Sequence, residues 1–326
     1  MTIYLNQGVR IAVKIAVLGE AMLELVPTSD RDSRTEQMRH LVASFAGDTY
    51  NSAIYLARLG AEVAYYTLVG DDPYSRLLIS NTRNENIDVE LIKALPERQL
   101  GLYMIRNLAG GEREFRYWRS EAPAREMFAA AHFGEQQRRQ LFNFPYLYLS
   151  GITVAILLGD GRQRLLEFLQ DYGQQGGKIC FDSNYRPRLW QSKDEAQRWT
   201  RAVLELSDMA LLTLDDQRAL FNLNSEQEAV NRCLKLPCAE VVIKRGHLAT
   251  LGRDQESDFS VDTPAVANVI DTTGAGDSFN AGYIHARLNG KNSVDSVQQA
   301  NKLAALVIQH RGAVIPKDQF NNLWPN

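Results

Sequence analysis

"VANVIDTTGAGDSFNAGYIHARLNG" occupies residues 266–290. An apolar run at 266–270 reads as a strand. Asp271, Thr272 and Thr273 follow, then Gly274, Ala275, Gly276 and Asp277. A helix is expected next, because Phe279, Ala281, Ile284, Ala286 and Leu288 keep an apolar face and Asn289-Gly290 makes a good stop. The glycines therefore fall at a helix N-terminus. Free amides and the positive end of the helix dipole form an anion site there, and small residues let a phosphate approach the backbone. Asp277 in the first turn has two readings: a carboxylate favoured near a helix N-terminus, or a base. Taken alone, the residues leave these even. The adjacent anion site favours chemistry, since a hydroxyl held near a phosphate needs a group to take its proton.

Outward from this loop, short β-branched runs alternate with amphipathic stretches. "RIAVKIAVLGE" reads as a first strand ending at Gly19. Residues 63–70, 146–151, 178–182, 209–213 and 240–244 read as further buried strands. Between them, 160–175, 192–207 and 225–236 have helical periodicity. Alternating strands and helices predict an α/β fold with a doubly wound, mostly parallel sheet covered on both faces. Ligands of such sheets bind beyond the strands' carboxyl ends, so polar residues just after strands are the ones to inspect. Two stretches carry no crossover helix. Residues 21–45 are extended and polar, and 100–119 read as two strands joined by the turn "LAGGE". They are expected to pair into a small accessory β lid on one domain spanning 1–326.

Composition narrows the function. The chain has 326 residues and a formal net charge of −3. That argues against a nucleic-acid binder, which usually has a basic excess. No apolar run approaches the ~20 residues of a membrane span, and the start reads as a strand, not a signal peptide. Cys180, Cys233 and Cys238 are few and odd in number, which suits a reducing cytoplasm. The five histidines show no metal-binding spacing. No G-x-x-x-x-G-K-[ST] occurs, and "GAGDSF" lacks the last glycine of a dinucleotide fingerprint, so a nicotinamide-dependent oxidoreductase is disfavoured.

"DTTGAGDSFNAG" (271–282) resembles the second signature of the ribokinase, or PfkB, family of carbohydrate kinases. "FAGDTYNSAIYLARLG" (45–60), followed by "YYTLVGDDPYS", resembles its first. The resemblance covers nearly the whole chain and implies a ribokinase-like fold, ATP and Mg2+ as cofactors, and a small-molecule substrate. It makes Asp277 the base and Gly274, Ala275 and Gly276 the anion cradle. "GLYMIRN", "GEREFRYWRSEAPAR", "YLYLSGI" and "FDSNYRPRLW" resemble a branch of that family acting on the sugar acid 2-keto-3-deoxygluconate. A sugar acid needs a cation for its carboxylate, and arginine's planar fork suits one. The resemblance therefore implies substrate contact for Arg119 and Arg186, for Tyr103 and Tyr117, and for Gly47, Asp48 and Asn51. Each has a plainer reading as well: lid-core aromatics for the tyrosines, helix capping for Asp48 and Asn51. Arg113 and Arg116 read as solvated edge charges, and Trp118 lies on the opposite face of its strand.

On the nucleotide side the resemblance implies Asn184 and Arg186 near the transferred phosphate, Lys244 and Gly246 along ATP, and Asn301 near adenine. The plainer readings are a hairpin after 240–244 and a polar residue on a helix face. The first signature usually has two glycines; this chain has Ala46-Gly47. The family's N-x-x-E after 209–213 is absent: "TLDDQRA" offers Asp215 and Arg218, with Asp215 or Asp216 left to keep the acidic role, so no metal ligands are assigned. Some members bind K+ beside the anion loop, near Asp271 and Thr273 here, and lids in the family often pair between subunits. Sequence leaves K+ and a homo-oligomer through the lid open. The rival functions are a family kinase for a neutral sugar such as fructose and a non-catalytic sensor.

Overall fold

A computed structural model describes residues 14–27, 40–107 and 113–324. In chain order the strands are β1 (Lys14–Leu18), β2 (Met22–Pro27), β3 (Leu41–Ala46), β4 (Glu62–Gly70), β5 (Ile92–Leu95), β6 (Leu102–Asn107), β7 (Arg113–Trp118), β8 (Tyr146–Ser150), β9 (Lys178–Asp182), β10 (Met209–Thr213), β11 (Glu240–Lys244), β12 (Thr250–Arg253) and β13 (Asp258–Val261). The helices are α1 (Asp48–Arg58), α2 (Pro73–Asn84), α3 (Glu135–Leu141), α4 (Gly151–Ile156), α5 (Gly161–Gln174), α6 (Lys193–Leu206), α7 (Leu214–Phe221), α8 (Glu226–Leu234), α9 (Ala275–Leu288), α10 (Ser293–Val307) and α11 (Lys317–Leu323).

The large sheet runs β13-β12-β11-β10-β9-β8-β1-β4-β5. Strands β11 through β5 in that order are parallel, and the β11–β12 and β12–β13 pairs are antiparallel. Successive β1 residues feed opposite faces: Ala16 and Leu18 enter one apolar cluster, Ile15 and Val17 the other. A strand buried on both faces must be apolar throughout, which is why these runs lack alternation. The chain leaves β1 toward β4 on one side and returns through β8 on the other. That reversal opens a crevice beyond the carboxyl ends of β1 and β8.

The expected lid is present. The order β3-β2-β6-β7 forms a separate four-stranded sheet, with β2 and β6 parallel and the outer pairs antiparallel. The turn "LAGGE" lies outside the described residues. Tyr103 faces Tyr117 across β6 and β7, and the two rings lie 5.5 Å apart. Trp118 points to the other side and is exposed.

One expected strand is absent. Residues 266–270 form an irregular connection. The edge of β11 that a parallel strand would need is filled by the β12–β13 hairpin. The run's backbone turns instead to the end of α10, where the amides of Ile270 and Asp271 donate to the Ile308 carbonyl at 2.8 and 3.1 Å. Val269 and Ile270 consequently remain about half exposed.

Candidate functional site

The crevice gathers the ends of β1, β8, β9 and β11 with the N-termini of α1 and α9. Asp277 sits in the first turn of α9, and no side chain caps that helix. Its carboxylate turns across to α1, where Oδ2 accepts from Nδ2 of Asn51 at 2.8 Å. Ser52 adds a hydroxyl that donates to the Asp277 carbonyl at 3.0 Å. Removal from bulk water, then the nearby carboxylates of Asp48 and Asp182, push Asp277 up to about 8; Asn51 and the Lys244 ammonium act against them. An aspartate poised near neutral pH can accept a proton and still be unprotonated often enough to do so. Asp277 thus stands in the first turn of α9 without making a capping hydrogen bond.

Asp48 opens α1, and its carboxylate also reaches out of that helix to the turn after β9. Oδ2 accepts from Nδ2 of Asn184 at 2.7 Å. Burial raises its pKa, with Asp182 adding to the rise and Ser150, Thr49 and Asn184 opposing it through hydrogen bonds. Asn51 also serves the start of α1, since its Oδ1 accepts from the Gly47 amide at 3.4 Å. Gly47 marks the close approach: a Cβ there would lie 2.2 Å from the Glu20 carbonyl. One glycine suffices, since Ala46 packs into the lid cluster with Met22 and Tyr103.

Arg119, at the end of β7, reaches the floor and pairs with Glu20, the residue after Gly19. Its guanidinium lies 5.6 Å from the Tyr117 ring centroid. The Tyr117 hydroxyl is raised by burial, and the charges acting on it include Arg119, Arg186, Glu20 and Asp48. That set brings the lid and both arginines to one region. Arg186 is half exposed, bonded to the Tyr185 carbonyl at 3.1 Å and 3.8 Å from Asp216. Tyr103 is engaged: its hydroxyl donates to Glu24 on β2. Arg116 is exposed and pairs with Glu114; the side chain of Arg113 lies outside the described residues.

On the other flank, Gly274 begins α9 with φ 76°, a left-handed conformation that glycine adopts without strain. Its missing Cβ also avoids the Ala313 carbonyl, which would be 2.7 Å away. The Ala275 amide is turned back to the Thr272 carbonyl at 3.2 Å. Among the described residues the amides of Gly274, Gly276 and Asp277 have no such acceptor, as the first amides of a helix do not. Lys244 ends β11 beneath this turn. Its Nζ donates to Oδ1 of Asn280 at 2.8 Å and lies 3.4 Å from Asp182. A Cβ on Gly276 would be 3.8 Å from that ammonium.

Gly246 and Asn301 are not gathered at this point. Gly246 lies in the exposed β11–β12 turn with φ 62°, and Asn301 is buried on α10, its amide given to the Asp262 carbonyl at 3.3 Å. Asp215 is exposed beside Arg218. Asp216 is the acidic residue that turns inward, accepting from the Tyr185 amide at 3.2 Å; burial raises its pKa against the pull of Arg186. Asp271 staples the loop: Oδ1 accepts from the Thr273 amide and hydroxyl, and Oδ2 from the Gly312 amide at 2.7 Å.

Four residues of the site carry no sequence expectation: Glu20, Ser52, Asp182 and Asn280. Glu20 and Asp182 stand at the ends of β1 and β9, where the carboxyl-end rule directs attention. Asn280 is hidden by the apolar face of α9. Its amide donates to Asp182 at 2.8 Å and to the Tyr148 hydroxyl at 3.0 Å, far from its neighbours in sequence.

The family model for pfkB family carbohydrate kinases matches residues 12–319. The 2-dehydro-3-deoxygluconokinase of Escherichia coli is 40% identical over 313 residues, covering 94% of this chain and 98% of that protein. Among solved structures, the 2-dehydro-3-deoxygluconokinase of Thermotoga maritima superposes with a TM-score of 0.80 at 20% identity, covering 96% of this chain and 98% of that one. The aminoimidazole riboside kinase of Salmonella enterica, solved with its riboside and an ATP analogue, superposes at 0.77 with 22% identity, covering 96% and 100%. On the extent of the family match and of the 40% identical relative, this chain belongs to the pfkB family of carbohydrate kinases.

Proposed function

We propose that the chain transfers the γ-phosphoryl group of ATP to the terminal hydroxyl of 2-keto-3-deoxy-D-gluconate, giving 2-keto-3-deoxy-6-phosphogluconate. The observation that carries this reading is the Asn51–Asp277 contact at 2.8 Å, which sets a carboxylate raised to about 8 against α1, whose N-terminus packs on Glu20, the partner of Arg119 from the lid. The relatives at 40% identity that bear the name of this kinase support it.

Arg119 and Arg186 hold the sugar carboxylate, and Tyr117, Asp48 and Asn51 orient the chain of the sugar. Asp277 takes the hydroxyl proton as the oxygen attacks phosphorus. The Gly276 and Asp277 amides and the Lys244 ammonium stabilise charge on the phosphoryl oxygens, a contribution of ~3 kcal/mol per donor in comparable sites. Gly246, Asn184 and Asn301 belong to the nucleotide side of this reading. Among the described residues no cluster of three or more acidic, histidine or cysteine side chains closes around a point. Magnesium keeps its waters and needs only phosphates with one or two carboxylates; in this reading Asp216, turned inward to the Tyr185 amide, serves. No step here requires K+.

The three cysteines are free and buried, which suits a cytoplasmic enzyme, and no helix among the described residues is long and apolar enough to cross a membrane. Leu41, Val42 and Trp118 are exposed on the lid, which supports a homo-oligomer through it. The deciding experiment is ADP release over a panel of sugars and sugar acids, with and without KCl. Preference for 2-keto-3-deoxygluconate is expected. Turnover of fructose in preference to any sugar acid would overturn the substrate, and no turnover of any sugar would leave a sensor.

A further inference from the structure

Glu20 follows β1 by two residues and is 3% exposed. Its Oε2 accepts from Nη2 of Arg119. Its Oε1 has no hydrogen-bond partner among the described residues, and neither has Nε of Arg119. The charges that bear on Glu20 are Arg119, Asp48 and Arg125. Gly101 packs beside the free oxygen, where a Cβ would stand 3.4 Å away.

As a stabilising contact this pair is poor. Burying a carboxylate is costly, and the attraction offsets that cost only when the remaining donors and acceptors are satisfied. Here two are not. The contact does fix orientation. A guanidinium carries five donors in a rigid fork. With Nη2 tied to the end of β1 and the guanidinium 5.6 Å from the Tyr117 ring centroid, Nη1 is the amino group that makes no hydrogen bond among the described residues and is not among the buried unpartnered atoms.

We propose that Glu20 is a positioning residue: it anchors one edge of the Arg119 guanidinium at the end of β1 and so presents the free edge to an anionic group of the substrate. What that edge receives rests on the sugar-acid reading above. Glu20 itself touches no reacting atom.

The test is a double-mutant cycle on KM for 2-keto-3-deoxygluconate, with kcat and KM for ATP followed alongside. Glu20→Ala should raise KM for the sugar acid about 10-fold, the equivalent of one hydrogen bond to a charged group, with kcat and KM for ATP within about twofold. Glu20→Gln should recover most of the loss, because its amide oxygen still accepts from Arg119. Adding Glu20→Ala to Arg119→Met should change nothing further. If Glu20→Ala fails to fold, Glu20→Asp carries the same expectation, since it draws the carboxylate back by one methylene. An unchanged KM in Glu20→Ala or Glu20→Asp, or an effect that adds in full to Arg119→Met, overturns the positioning role. A silent Arg119→Met overturns the sugar-acid reading itself, and this proposal with it.

Discussion

The amide of Asn51 donates to the carboxylate of Asp277 at 2.8 Å, joining helices whose residues are 226 positions apart. The contact binds the first motif of the chain to the last. It also sets the basicity of the group placed to receive a proton, because a hydrogen bond to the charged form of a carboxylate lowers its pKa. Burial and Asp48 push the other way and prevail, leaving Asp277 at about 8.

Asp277→Asn should therefore separate activity from stability. A general base contributes ~10²–10⁴-fold, so turnover should fall by at least about 100-fold while calorimetry still detects ATP binding. In the wild type, kcat/KM should rise with pH, reach half its plateau near 8 and level off above it, where the free enzyme's base is ionised. For stability the sign follows from the raised pKa. The folded state holds a proton that the unfolded chain releases above 3.8, so this stabilisation is complete below that pH and lost as pH rises through about 8. Asp48, Glu20 and Asp216 are raised by burial too and add to the same trend. Thermal melts from pH 5 to 9 should show Asp277→Asn gaining on the wild type as pH rises. A parallel pair of curves would contradict the raised pKa.

Asn51→Leu removes the donor and keeps the bulk. A hydrogen bond to a charged group is worth ~1.5–3 kcal/mol, and one pKa unit corresponds to about 1.4 kcal/mol. The rising limb of the kcat/KM profile should move to higher pH by about one unit or more. An unmoved limb, with activity merely scaled down, would mean that Asn51 only shapes the site.

Much of this architecture is legible in the chain because its signals are local. Buried strands such as "YLYLS" and "EVVIK" announce themselves as short continuous apolar runs, and Asn289-Gly290 stops α9 where the turn chemistry demands. Residues 266–270 mislead because their apolar character matches a strand, while the pairing edge they would need is taken by a hairpin that no local pattern reveals. The site divides along the same line. Asp277 and the glycines stand together in sequence. The Asn280–Asp182 and Glu20–Arg119 contacts join residues 98 and 99 positions apart, so only the packed sheet makes them neighbours. Asp216 rather than Asp215 turns inward because helical phase, not composition, decides which of two adjacent carboxylates is buried.

Gly47→Ala isolates a steric effect from backbone strain. Gly47 has φ 173°, extended backbone open to any residue. A Cβ would nonetheless sit 2.2 Å from the Glu20 carbonyl, so the start of α1 must shift, carrying Asp48 and Asn51 with it. Overpacking of this kind costs about 1–3 kcal/mol. KM for the sugar acid should rise about tenfold or more, with ATP affinity held, since the nucleotide flank is built on α9 and β11. A weakened ATP affinity of similar size would show that the two flanks are not independent.

Lys244→Met tests whether the buried ammonium serves the fold or the phosphate. Lys244 is 8% exposed and shared between Asn280 and Asp182. Removing one member of a buried pair leaves the other charge uncompensated, at a cost of about 3–5 kcal/mol. The variant should unfold at distinctly lower urea and show a raised KM for ATP. Adding Asp182→Asn removes the stranded charge and should restore most of the stability. It returns no cation to the turn at Gly276, 3.8 Å from the wild-type ammonium, so KM for ATP should stay high in the double variant. If KM for ATP recovers together with the melting point, Lys244 acts on the fold alone and the anion turn must hold the phosphate by its backbone amides.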